Sequence, residues 1–209
     1  MVKTNINLFA EGEVVYTDGG VLAEFAWVLV VLPFIAALII TFAGKSLPLK
    51  GAEIALGTIG IIFIYSLALM YLHVTEGVAN EFFINVGNIG QFDIEFGWVV
   101  DGLSIMMYFV VGLVALLVFI YATNYMEGEI RYTFFFTSLT LFAGSMLVLV
   151  SSPTLIQILI GWELVGVCSY LLIGHYWEVK DNSSAAMKAF ITNKICLLYT
   201  SPSPRDRTT

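Results

Sequence analysis

"LIQILIGWELVGVCSYLLIGHYW", residues 155–177, is apolar over nearly its whole length and carries one carboxylate, Glu163. No Lys or Arg lies within it. A helix rises 1.5 Å per residue, so roughly 20 apolar residues cross about 30 Å of hydrocarbon. The stretch therefore reads as a membrane span, and Pro153 just ahead of it suits a helix start. Glu163 then sits about 15 Å from one end of that span, beyond the reach of its own side chain to water. An acid at such a depth costs on the order of 2.5–3.5 kcal/mol on insertion scales. It is kept either as a structural carboxyl that fixes helix packing or as an ion or proton site. For an intramembrane ionisable group the second is the default.

Residues three, four and seven away share the face of Glu163. These are Gly166, Val167 and Tyr170 on one side and Ile160, Leu159 and Ile156 on the other. Gly166 lets a second helix approach closely, and Tyr170 brings a hydroxyl to the same side. Spans one to five supply no cation for Glu163, so a partner is expected from a later helix or another chain. Cys168, in the same apolar run, reads as a buried inert thiol.

Working outward, the whole chain has this character. It holds 209 residues, 59% of them hydrophobic and 12% charged, about half the charge of an average soluble domain. The class is an integral membrane protein, all-α, with a polytopic transmembrane bundle. Five spans are expected, at 21–43, 51–73, 103–122, 132–150 and 154–176, with a sixth starting after them. Pro33 lies inside the first, which bilayer helices tolerate when neighbours satisfy the freed carbonyl. The link 74–101 is longer than the others. In it "FFINVG" and "FDIEFGW" alternate like two strands of a hairpin around Gly87 to Gly90. Residues 1–20 are polar and acidic and form a leader rather than a cleavable signal. Residues 21–98 hold the first two spans and the hairpin, and 99–195 begin the domain that carries Glu163.

Lys and Arg set the orientation. Lys45, Lys50, Arg131, Lys180, Lys188 and Lys194 fall on one side of the predicted topology, and Lys3 alone on the other. The basic side is expected in the cytoplasm, with the amino terminus and the hairpin outside a bacterial plasma membrane. The remaining acids have ordinary roles. Glu24 and Glu53 sit in first turns, where they favour the helix dipole. Asp101 precedes a span as a cap. Glu127 and Glu129 flank a solvated link with Arg131.

"GWELVGVCSYLLIGHYW" from Gly161, followed by "AAMKAFITNK" from Ala185, resembles the largest antiporter-like membrane subunit of respiratory NADH:quinone oxidoreductase (complex I). "DGLSIMM" from Asp101 and "YATNYM" from Tyr121 resemble it too. The resemblance implies that Glu163 is a proton-loading site coupled to a lysine on the family's seventh helix. Lys188, Lys194 and His175 fall where the family carries further polar groups near its sixth helix. Asp101 and Tyr170 complete the candidate auxiliary set. Partners implied are the other membrane-arm subunits and the bilayer. NADH, flavin, iron–sulfur clusters and quinone are expected in those partners: this sequence has no Cys cluster, and its two His are far apart.

In this family the segment after "KAFITN" continues with a basic residue, an apolar one and Gly-Asp. Lys194 and Ile195 keep that pattern and Cys196 breaks it. "CLLYTSPSPRD" can be back-translated into a sequence that resembles a transposase-type sequencing adapter, so residues 196–209 are expected to be an adapter read-through, with the coding sequence continuing past codon 195. A multisubunit cation/proton antiporter or a membrane-bound hydrogenase subunit shares the Trp-Glu helix and is an alternative. A non-transporting membrane scaffold, with Glu163 structural, is another.

Overall fold

The computed structural model describes residues 20–77, 79–89, 92–129 and 131–200. In chain order the elements are α1 (Gly20–Glu24), α2 (Trp27–Ala43), α3 (Ala52–Glu76), β1 (Asn80–Ile89), β2 (Phe92–Val100), α4 (Gly102–Tyr125), α5 (Tyr132–Ser151), α6 (Leu155–Ile173) and α7 (Lys180–Thr200). Four helical stretches are long and apolar enough to cross a membrane: Ala52–Thr75, Gly102–Tyr125, Tyr132–Ser151 and Leu155–Tyr176. The chain is an integral membrane protein built as an α-helical bundle with one small hairpin.

The expected first span differs from this. It is broken into α1 and a 17-residue α2, which covers only about 25 Å. The join is a tight turn in which Ala26, Val28 and Leu29 donate three residues back, to Ala23, Phe25 and Ala26. Pro33 stays within α2 and is buried. It packs on α5, where a Cβ on Gly144 would come within 3.0 Å of the proline Cβ.

Local signals set the helix ends. Asp101 caps α4 as expected, its Oδ1 accepting from the Ser104 N–H at 2.7 Å. Thr154, one residue past the expected Pro153, caps α6 through a bond from the Gln157 N–H. Gly51 precedes α3 with φ 97°, a left-handed conformation that costs glycine little. A Cβ there would sit 2.7 Å from Ile40.

The expected hairpin forms. The strands pair antiparallel from Asn80 opposite Val100 to Ile89 opposite Phe92. The register slips between Asn85 and Gly87, so Val86 is the extra residue of a bulge and Gly87 is within the ladder. Residues 90–91, between the strands, lie outside the described residues, and so does the part of the expected turn that falls on Gly90.

α5 is the centre of the bundle and touches α2, α3, α4 and α6, while α6 pairs with α7. Small residues make the close contacts. A Cβ on Gly161 of α6 would lie 3.0 Å from the Leu149 backbone of α5, and one on Gly112 of α4 3.3 Å from Phe63 Cα of α3. Lipid tails are as apolar as Leu, so such contacts associate helices through packing rather than water exclusion. Cys168 is buried with its Sγ 3.8 Å from Ser145 Oγ, in agreement with an inert core thiol.

The hairpin is fastened to the start of α6 by one side chain. Gln157, buried, accepts from the Gly97 N–H at 3.0 Å and donates to the Gly97 carbonyl at 2.8 Å. Trp98 stacks on Phe82 at 4.5 Å between ring centroids and leans on Trp27 at 6.5 Å. Gln157→Leu leaves both Gly97 groups without their partner, at about 1–3 kcal/mol for each buried group. It is expected to lower the melting temperature and to make the hairpin more sensitive to limited proteolysis. Unchanged cleavage would remove this fastening role.

Candidate functional site

α6 and α7 run antiparallel as a helical hairpin joined by residues 174–179. Down their seam Tyr170 meets Phe190, with ring centroids 5.5 Å apart. Gly166 lies against Asn193, whose Nδ2 would be 2.7 Å from an added Cβ. Trp162 Nε1 donates to Asn193 Oδ1 at 2.9 Å. Next to these, the Lys194 ammonium forms an ion pair with Glu163. Lys194 also lies over the Phe190 ring, 5.1 Å from its centroid.

Helical spacing sets the two rows of this seam, with Glu163 next to Trp162 on α6 and Asn193 next to Lys194 on α7. Trp162, Gly166 and Tyr170 recur every four residues on α6, as do Ala186, Phe190 and Lys194 on α7. Gly166 removes the side chain that would hold α7 away, and α7 comes near enough for an ammonium to meet the carboxylate. Both side chains keep about a third of their surface open, 35% for Glu163 and 34% for Lys194. The pair therefore sits at the edge of the described bundle, eight residues into α6, or about 12 Å along its axis.

Of the sequence candidates, the structure brings Glu163 and Lys194 into contact and puts Tyr170 on the same seam. It does not bring in the others. Lys188 lies on α7 and is exposed. Asp101 is occupied with its cap at the start of α4. His175 is buried, 5% exposed. Its ring lies among Phe134, Phe135 and Tyr176, with centroids 6.3, 5.5 and 4.8 Å away.

Two further corrections concern charge. Lys180, Lys188 and Lys194 all belong to α7, so they leave the count that set the orientation. Lys45, Lys50 and Arg131 remain against Lys3, and the asymmetry keeps its sign. Arg131, expected among solvated acids, instead clamps the α6–α7 turn. Its Nη1 donates to the His175 carbonyl at 2.8 Å and to Glu178 at 3.2 Å. Nη2 pairs with the same carboxylate, and the guanidinium lies over Trp177, 5.2 Å from the ring centroid. The signal was present in the topology, because Arg131 and Glu178 occupy links on the same side of the bundle.

That clamp has a pH signature. The hydrogen bond from Arg131 holds the Glu178 carboxyl below the usual glutamate range. A carboxyl depressed on folding stabilises above its unfolded pKa, near 4.3 for glutamate, and loses this as pH falls through the folded value. Trp177 fluorescence is expected to change as pH is lowered below about 4, and Arg131→Ala to abolish that transition. An unchanged acid transition in the variant would mean that Glu178 is not its source.

Comparison with known proteins agrees with the fold and the motifs. A family model described as the amino terminus of NADH-ubiquinone oxidoreductase (complex I) chain 5 matches residues 87–136. A second, described as the transmembrane part of NADH:quinone oxidoreductase and Mrp antiporters, matches residues 152–199. The chain is 38% identical over 181 residues to NAD(P)H-quinone oxidoreductase chain 5 of Synechocystis sp., covering 83% of this chain and 27% of that protein. It is 36% identical over 179 residues to subunit 5 of the Paulinella chromatophora chromatophore, covering 82% and 27%. With the chloroplastic subunit 5 of Chara vulgaris the identity is 39% over 186 residues, covering 84% and 28%. The chain thus spans about a quarter of the length of the curated relatives it matches.

Proposed function

Because the chain belongs to the chain 5-type family of NAD(P)H-quinone oxidoreductase membrane subunits, we propose that it serves in the membrane arm of a proton-translocating complex I and that Glu163 is its proton-loading carboxylate. The observation that carries this is the Glu163–Lys194 pair, whose carboxylate lies within the apolar helix α6. Charged groups within a bilayer pair with one another or face water, and they mark ion and proton pathways.

The pair gives the site two states. Closed, the ammonium neutralises the carboxylate, and the Phe190 ring lies beneath the ammonium. Parted, each charge faces hydrocarbon alone, and the carboxylate is relieved by a proton taken from water. Lys194 thereby becomes the first partner of Glu163, ahead of the seventh-helix lysine that the resemblance implies, and it can hand the carboxylate on to a cation from a later helix. The energy comes from quinone reduction in partner subunits, which also hold NADH, flavin and iron–sulfur clusters. Moving one charge against 100 mV costs about 2.3 kcal/mol. The orientation that goes with this has the amino terminus outside a bacterial plasma membrane and the Arg131 link in the cytoplasm. Residues 196–209 are proposed as adapter-derived, with the native helices continuing after Ile195.

Proton translocation by vesicles that hold the assembled enzyme, with and without Glu163→Gln, tests the role of the site. One observation favours a second reading: the family model over residues 152–199 covers Mrp antiporters as well as quinone oxidoreductases. Purification of the chain with its partners separates the two. Co-purified NADH:quinone activity supports the first, and sodium-proton exchange without it supports the second.

A further inference from the structure

Asn193 stands one residue before Lys194 on α7, and Trp162 one residue before Glu163 on α6. The two are joined across the seam, where Trp162 Nε1 donates to Asn193 Oδ1 at 2.9 Å. The same amide lies against Gly166, one turn further along α6, and its Nδ2 would be 2.7 Å from a Cβ added there. One side chain thus engages α6 twice, by a hydrogen bond and by a close fit.

We infer that Asn193 is a positioning residue for the Glu163–Lys194 pair. It sets the rotation and slide of α7 against α6, and so returns the ammonium to the carboxylate after each parting, the step that releases the proton. The inference rests on the proposed role of Glu163. Lys194 does not fix this geometry itself. Its ammonium is a point charge on a flexible four-carbon stem, so the ion pair alone tolerates many placements of α7. A hydrogen bond from an indole N–H is directional and weakens steeply as it bends. Trp162 lies in the apolar stretch Leu155–Tyr176 and is 44% exposed. Hydrocarbon around that stretch offers its N–H no other acceptor.

The other contacts of the seam do not set the register in this way. Tyr170 and Phe190, 5.5 Å between centroids, meet through ring contacts that carry no directional bond. Phe190 under Lys194 belongs to α7 itself and says nothing of where α6 lies. A rotation or slide of α7 that parts Lys194 from Glu163 therefore also strains the Trp162–Asn193 bond and draws the amide from the Gly166 notch.

The test places Asn193→Leu, which keeps the size and loses the acceptor, and Trp162→Phe, which keeps a ring and loses the donor, in the assembled enzyme. Proton translocation by vesicles is read per assembled complex. Each single variant is expected to slow it about two- to tenfold, the net worth of one hydrogen bond. The double variant should be no slower than the slower single one, because the same bond is lost in each. Asn193→Gln keeps an amide carbonyl and should recover most of the rate. Fewer assembled complexes with an unchanged rate per complex would make Asn193 merely structural. Losses that multiply in the double variant, or Asn193→Gln no faster than Asn193→Leu, would also overturn the inference. Where Asn193→Leu does not assemble, Trp162→Phe against Asn193→Gln decides: only the first should be slow. On a Glu163→Gln background, Asn193→Leu should add no loss. A further loss there would overturn the positioning role and leave Glu163 its own. Unaltered translocation in Glu163→Gln alone would instead remove the proton-loading role, and the positioning role with it.

Discussion

Glu163→Gln is expected to slow proton translocation by the assembled enzyme about tenfold or more, the low end of what a positioned proton-transfer group contributes. Gln has almost the same volume and still accepts a hydrogen bond from Lys194, so α6 and α7 should stay paired and the complex should assemble. What it lacks is a site that binds and releases a proton. The measurement is dye-reported acidification in vesicles, normalised to the amount of assembled enzyme. Assembly with unchanged translocation would make Glu163 a structural carboxyl and return the chain to the scaffold reading.

Lys194→Met is expected to have the largest effect on stability. Removing one member of a buried ion pair costs about 3–5 kcal/mol, because the other charge is left uncompensated. About a third of each side chain is open in this chain, and that exposure reduces the loss to about 1–3 kcal/mol. The sign of the double variant is the informative part. Glu163→Gln with Lys194→Met removes both charges, and its melting temperature should lie above that of Lys194→Met alone. Lys194→Arg keeps a cation over Phe190 and should lose the least. A double variant in which the two losses simply add would show that the two charges do not support one another.

The architecture was largely legible in the sequence because a bilayer leaves few choices. Apolar runs of about 20 residues have to be helices there, since every backbone group needs an internal partner. α3, α4, α5 and α6 follow that rule. α2 does not follow it fully, because the break after Glu24 arises from three-residue turns that no apolar count reveals. The hairpin was visible in its alternation. The bulge at Val86 was not, since a two-residue period cannot tell a turn glycine from one inside the ladder.

The site was half legible. Glu163 stands out because a lone acid in an apolar run has no local explanation. Lys194 was harder to assign. Counted as a basic residue after span five, it was expected near the start of a sixth helix, and its pairing depends on α7 folding back against α6. The αα-hairpin brings position 194 opposite 163, and the Gly166 notch permits the approach. Arg131 and Glu178 were obscured in a similar way, because two polar links look solvated until the bundle places them together. His175 carried the opposite signal, a polar residue at a span end that the aromatic side chains of α5 and its neighbour Tyr176 draw inside.

Infrared difference spectroscopy of the reconstituted enzyme, comparing turnover with rest, tests the central claim most directly. If Glu163 loads a proton, the carbonyl stretch of a protonated carboxyl rises during turnover, shifts in deuterium oxide, and is absent from Glu163→Gln. If the same band persists in the variant, or no such band forms in the parent enzyme while it pumps, Glu163 does not carry the proton.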